Sequence, residues 1–147
     1  METIYILNGP NLNLLGIREP DHYGKTDYKS MVKEVKDYAK SLGFKTVFYQ
    51  SNHEGDLVDK IHEAYFKGAC GIVINPGAYT HTSIALLDAV KGTSIPTVEV
   101  HISDVNNRED FRKVSYISLA AVKTISGKGI KGYSLAVEFL KDYLEQR

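Results

Sequence analysis

Ile4-Tyr5-Ile6-Leu7, followed at once by Asn8-Gly9-Pro10-Asn11-Leu12-Asn13, decides how the chain is read. Four consecutive apolar residues, ended abruptly by asparagine, glycine and proline, describe a short strand covered on both faces. The signature recurs at residues 46–49, 71–74 and 96–100, and a fifth strand is expected around 121–125. Strands buried on both faces belong in a parallel sheet, and parallel neighbours need crossovers between them.

The intervening segments supply those crossovers as helices. Met31, Val32, Val35, Tyr38, Ala39 and Leu42 fall on one helical stripe, with Gly43 placed as a C-cap. Leu57, Val58, Ile61, Ala64 and Tyr65 repeat that spacing before Gly68. A third helix is expected over 83–91, stopped by Gly92, and a last one over about 130–145, with Tyr133, Val137, Leu140 and Leu144 on one side. The expected architecture is a single α/β domain spanning residues 1–147. It is a doubly wound, five-stranded parallel sheet in a three-layer sandwich with right-handed crossovers.

Composition narrows the function classes. Eighteen basic and eighteen acidic side chains cancel, so nothing in the charge balance points to nucleic acid or a membrane surface. No apolar run approaches the roughly 20 residues that cross a bilayer, and the first residues lack the pattern of a signal peptide; a cytoplasmic location is expected. The single cysteine, Cys70, forms no internal disulfide and reads as a buried thiol. The five histidines include no H-E-x-x-H motif and no Cys/His cluster, so no dedicated metal site is expected.

Side chains with catalytic chemistry gather just after the strands: Asn8 to Asn13, Gln50-Ser51-Asn52-His53-Glu54-Gly55, Asn75-Pro76-Gly77, and Glu99 and His101 followed by Ser103. In an open parallel sheet all these positions face one edge, where ligands bind at the topological switch point. Glu99 and His101 are two apart on a strand and share a face, so the carboxylate can fix the imidazole tautomer or hold the ring protonated as an acid. They can equally be a structural pair. Between Leu7 and Tyr28 lie some twenty residues without a convincing element; residues 16–27 of that stretch read as a lid. Arg18 and Tyr23 sit in it. A free tyrosine is ionised about once in a thousand molecules at neutral pH, and a neighbouring guanidinium favours the anion. Tyr23 can also be a loop aromatic packing on the surface. Arg108 and Arg112, four apart, suit one helical face that binds an anionic or hydroxylated ligand, or else pair with Glu109 and Asp110 in solvent. His81 and Thr82 precede a helix and can simply cap it. Residues 127–132 match G-x-G-x-x-G, but the chain after them is too short for a dinucleotide site, leaving a tight strand-to-helix turn.

Taken in order, these blocks resemble the type II 3-dehydroquinate dehydratases over nearly the whole chain. Those that carry the resemblance are Asn8 to Gly16, Arg18-Glu19-Pro20, Tyr23-Gly24, Gln50 to Gly55, Asn75 to Ser83, Glu99-Val100-His101, Arg108-Glu109 and Phe111-Arg112. The resemblance implies a flavodoxin-like fold, no cofactor or metal, and a homo-dodecamer built as four trimers. The implied reaction dehydrates 3-dehydroquinate to 3-dehydroshikimate in the shikimate pathway or in quinate catabolism. It implies that Tyr23 removes a C2 proton with Arg18 supporting its anion, and that Asn13 helps hold the enolate. His101, oriented by Glu99, would protonate the departing hydroxyl. Asn75, His81 and Arg112 would contact substrate hydroxyls, Ile102 and Ser103 the carboxylate; Asp88 would reach a neighbouring subunit's site, and Arg108 would lie near the mouth. The chain departs from the family pattern at Asp104, which brings a negative charge near the expected carboxylate site, at Leu87, at Asn106-Asn107, at Lys128 and over residues 25–28. A flavin- or nucleotide-binding module of the same fold is the competing reading. Against it, the loop after the first strand carries asparagines in place of a Ser/Thr-rich phosphate cradle.

Overall fold

β1 (Glu2–Asn8) pairs in parallel with β2 (Phe44–Gln50) on one side and β3 (Gly71–Asn75) on the other. β4 (Thr97–His101) and β5 (Lys123–Ser126) extend the sheet beyond β3, giving the all-parallel order β2-β1-β3-β4-β5. This is the flavodoxin-like winding expected from the sequence. The computed structural model describes residues 1–17 and 26–147.

Alternate residues of each strand serve opposite faces, so one strand feeds two cores. Ile4 and Ile6 join Val73, Val98 and Val100 under α1 (Tyr28–Ser41) and α4 (Lys131–Glu145). Tyr5 and Leu7 join Ile72 and Ile74 under α2 (Glu54–Phe66) and α3 (Ile84–Thr93). Both faces of β1, β3 and β4 are therefore dry, which explains why those strands read as apolar runs, while the edge strands β2 and β5 are only partly covered.

The boundaries differ from expectation in instructive places. Asp27, expected in the lid, caps α1 by accepting from Ser30 N at 2.8 Å. Ser83 caps α3 rather than opening it, accepting from Leu86 N at 3.0 Å. Gly92 does not stop that helix. The turn comes at Ser94, whose φ of +57° ends the α3 repeat while its N–H still reaches Val90 O at 3.1 Å. Arg108 and Arg112 share no helix: each closes a separate 3-10 turn, Val105–Asn107 and Asp110–Arg112. Among the described residues, no helix is long and apolar enough to cross a membrane.

The sheet order reverses between β1 and β3, because β1 leads outward to β2 while β3 leads the other way to β4. In register, Asn8 lies opposite both Gln50 and Asn75 at this switch point. The loops that follow these strands diverge and leave a crevice between them.

Candidate active site

A polar cavity opens at that crevice. Pro10, Asn11 and Leu12 line it from the loop after β1; Asn75, Gly77, Ala78 and His81 from β3 and the 3-10 turn Gly77–His81; and His101, Ile102 and Ser103 from the end of β4. Val105, Arg108 and Arg112 complete the described wall. Seven of the expected site residues are thus gathered from three separate stretches of chain: Asn75, His81, His101, Ile102, Ser103, Arg108 and Arg112.

Close backbone approach holds the loops together. Gly9 N donates to Asn75 O at 2.8 Å, and a Cβ on Gly9 would fall 2.3 Å from Pro76 O. Asn11, at φ +70°, donates its N–H to Asn52 Oδ1 at 3.0 Å, while Gln50 Nε2 bonds both that oxygen and Gly9 O at 3.1 Å. The Gln50-Ser51-Asn52 block therefore braces the loop after β1 from outside the cavity.

His101 and Glu99 meet at the end of β4, both buried, with Nε2 and Oε2 2.5 Å apart. The carboxylate accepts the Nε2 proton and leaves Nδ1 as the ring's second nitrogen. Glu99 also accepts from Ser115 Oγ at 2.7 Å and from Thr124 Oγ1 at 3.0 Å. Burial pushes its carboxyl up. The hydrogen bond and charge of His101, with the two hydroxyls, outweigh that and hold it below the ordinary carboxylate value. Ser115 and Thr124 had no signal in the sequence: one lies in a loop, the other opposite Glu99 on β5, and only the β4–β5 register brings Thr124 across.

His81 Nδ1 lies 2.7 Å from Val114 O; a carbonyl only accepts, so Nδ1 carries the proton and Nε2 is the remaining nitrogen. Ser103 receives a hydrogen bond from the Arg108 guanidinium at 3.3 Å, and Arg112 is held by Glu109 at 2.6 Å. The loop bearing Ile102 and Ser103 is clasped from behind. Gly127 N donates to His101 O at 3.2 Å, Gly129 N to Ile102 O at 3.0 Å, and Ser126 Oγ to Ser103 O at 3.2 Å. Both glycines have positive φ, +75° and +62°, so the G-x-G-x-x-G stretch is the expected tight turn, built to secure the end of β4.

Asp104 has a local structural task. Its two oxygens accept from Asn106 N and Asn107 Nδ2, each at 3.0 Å, capping the 105–107 turn. The two departures at 104 and 106–107 belong together as one local cap, and Asp104 does not line the cavity wall described above. Asn13 occupies the exposed side of the 3-10 turn Leu12–Leu14, and Asp88 is exposed on α3, facing a separate hollow with His62, Tyr65 and Phe66. Leu87 is buried beside it. Arg18 and Tyr23 lie outside the described residues. Among those described, no group of three or more metal-ligating side chains is assembled.

A family model described as dehydroquinase class II matches residues 2–141. The chain belongs to that family. This class II dehydroquinase is 52% identical to the 3-dehydroquinate dehydratase of Caldicellulosiruptor bescii, over 99% of this chain and all of that protein. It is 54% identical to that of Nitrobacter winogradskyi over 95% of this chain and 89% of the other. The crystal structure of the type II dehydroquinase from Butyrivibrio crossotus superposes with a TM-score of 0.93 at 51% identity, covering 95% of this chain and 97% of that one. The type II dehydroquinase fold thus coincides with the parallel α/β architecture read from the residues.

Proposed function

We infer that the chain is a lyase that dehydrates 3-dehydroquinate to 3-dehydroshikimate, the dehydration step of the shikimate pathway. The observation that carries this is the buried Glu99–His101 pair opening onto a cavity also lined by His81, Arg108 and Arg112. A hydroxyl leaving from the carbon β to a ketone needs an acid, and the enolate formed on the way needs stabilising donors. His101 gives a proton to the C1 hydroxyl, which departs as water, while Glu99 compensates the charge on the ring. Tyr23 takes the C2 proton as phenolate with Arg18 beside it, and Asn13 supports the enolate oxygen. Backbone and hydroxyl donors at Ile102 and Ser103, backed by Arg108, take the substrate carboxylate; Asn75, His81 and Arg112 take the ring hydroxyls. No cofactor or metal enters this scheme.

The same reading extends to assembly. A dodecamer of four trimers brings Asp88 of one subunit to the cavity of the next. Consistent with an interface there, Tyr65, Phe66 and Ile84 are 54%, 81% and 54% exposed around Asp88 in the single chain. Light scattering should return about twelve times the 16.4 kDa chain mass; a monomer would rule the assembly out. A cytoplasmic location completes the proposal and is checked by cell fractionation.

The decisive assay mixes purified protein with 3-dehydroquinate and follows the absorbance of the conjugated enone product. No turnover anywhere between about pH 6 and pH 9 would reject the activity. Tyr23→Phe, which deletes one ionisable oxygen, should lower kcat/KM by about a thousandfold and leave thermal unfolding unchanged. Retention of most activity would show that another group is the base.

A further inference from the structure

Beneath the cavity floor lies a phenol that the reaction scheme does not use. Tyr133, on the first turn of α4, is fully buried in the core under β1, β3 and β4. Its hydroxyl donates to Asn8 Oδ1 at 2.5 Å and accepts from Asn75 Nδ2 at 3.0 Å. These asparagines sit opposite one another at the ends of β1 and β3. One oxygen atom thus ties the two strands at the point where the sheet order reverses.

We propose that Tyr133 is a positioning residue for substrate binding, fixing through its hydroxyl which way the Asn75 amide faces. The inference rests on Asn75 being a substrate contact, as in the function proposed above.

Hydrogen-bond polarity makes the arrangement one-way. Gly77 N–H donates to Asn75 Oδ1 at 3.2 Å, so the Asn75 oxygen is turned toward the 3-10 turn and its nitrogen toward Tyr133. The phenol oxygen accepts that N–H and has one proton to give, which goes to Asn8 Oδ1. Asn8 Nδ2 in turn donates to Tyr28 OH at 3.4 Å. Burial pushes the Tyr133 phenol far above its ordinary value, against the opposing pull of the Asn75 hydrogen bond, so it stays a donor throughout the working pH range. Turning the Asn75 amide over would place oxygen against an oxygen whose proton is already committed, and an NH2 against Gly77 N–H. With both inner sites occupied, the second N–H and the second lone pair of Asn75 are left for a ligand.

The test is a double-mutant cycle on the full-length enzyme with 3-dehydroquinate. Tyr133→Phe removes only the oxygen and should lower kcat/KM about tenfold in folded protein, the scale of one lost orienting hydrogen bond. In an Asn75→Ala background the same change should cost nothing further, because the group it orients is gone. A purely structural phenol would lower the unfolding temperature equally in both backgrounds without changing kcat/KM. An unchanged kcat/KM, or equal losses in both backgrounds, overturns the proposal. Should Tyr133→Phe not fold, Asn8→Ala releases the phenol proton from its acceptor without touching Asn75. It should lower kcat/KM severalfold only when Asn75 is present, and wild-type kinetics there would equally overturn the assignment. Turnover by the unmutated enzyme tests the activity itself; without it both readings fall.

Discussion

Gly9→Ala concentrates the physics of the site in one methyl group. A Cβ at residue 9 would stand 2.3 Å from Pro76 O and 2.6 Å from Pro76 C, whereas ordinary contact begins at about 3.4 Å. The obstacle is backbone, so no side chain can swing aside, and the two strand-end loops must part by about 1 Å. Gly9 cannot slide away freely either, being bonded to Asn75 O through its N–H and to Gln50 through its carbonyl. Overpacking of this kind costs about 1–3 kcal/mol, or roughly 3–10 °C in unfolding temperature for a chain of this size. Catalysis should suffer more than stability. The displaced loops carry Asn11 on one side and Gly77, Ala78 and His81 on the other, and about 1 Å of misplacement can cost a hundredfold in kcat/KM. Gly55→Ala is the control: it lies in α2 with nothing within 4 Å of the added carbon, and should be neutral or stabilise by about 0.5–1 kcal/mol. Steady-state kinetics and thermal unfolding of both variants settle the matter. If Gly9→Ala kept kcat/KM within about twofold and its unfolding temperature within about 1 °C, the close approach would have no functional weight.

Glu99→Gln keeps shape but exchanges one accepting oxygen for a donor, against a ring nitrogen and two hydroxyls; kcat/KM should fall by about 10²–10⁴, and wild-type kinetics would dismiss the pair as catalytic. The same variant reads the linkage to pH. The Glu99 carboxyl titrates below its ordinary 4.5 when folded, so its contribution is complete above that value and disappears as pH falls through the lower one. The wild-type advantage in unfolding temperature over Glu99→Gln should therefore shrink below about pH 4.5, and an advantage undiminished at about pH 3 would contradict this. Cys70 is pushed up to about 12, by burial first and then by Glu2, so iodoacetamide at about pH 8 should modify the native thiol far more slowly than the unfolded one. Mass spectrometry with and without urea gives the comparison, and equal rates would refute the shielding.

The strands and helices were legible because each leaves a periodic mark: apolar runs for sheet residues covered twice, and a 3.6-residue stripe for the helices. Helix ends were less legible, since Gly92 reads as the stop of the third helix and only the backbone shows that Ser94 takes the positive φ. Asn75, His101 and Ser103 could be gathered in advance because a parallel sheet sends all its strand ends to one edge, whereas His81 joined them only through the family resemblance. Their supports could not. Ser115 and Thr124 reach Glu99 across 16 and 25 residues, and Tyr133 reaches Asn8 across 125; no local spacing encodes such hydrogen bonds. Arg108 and Arg112 both line the cavity while Arg112 also pairs with Glu109, so each reading of their spacing holds in part. Four-residue spacing suggested one helix, whereas two short turns bring both guanidiniums to the cavity.

α4 follows every described strand in the chain, yet it covers β1, the first of them. Until α4 emerges, Ile4 and Ile6 of β1, Val73 of β3 and Val98 and Val100 of β4 have half of their shared apolar face open to water. A nascent chain halted near residue 126 therefore already owns His101, Asn75 and both arginines, yet exposes a sticky sheet. An open apolar sheet face of that kind is the surface through which partly made chains aggregate.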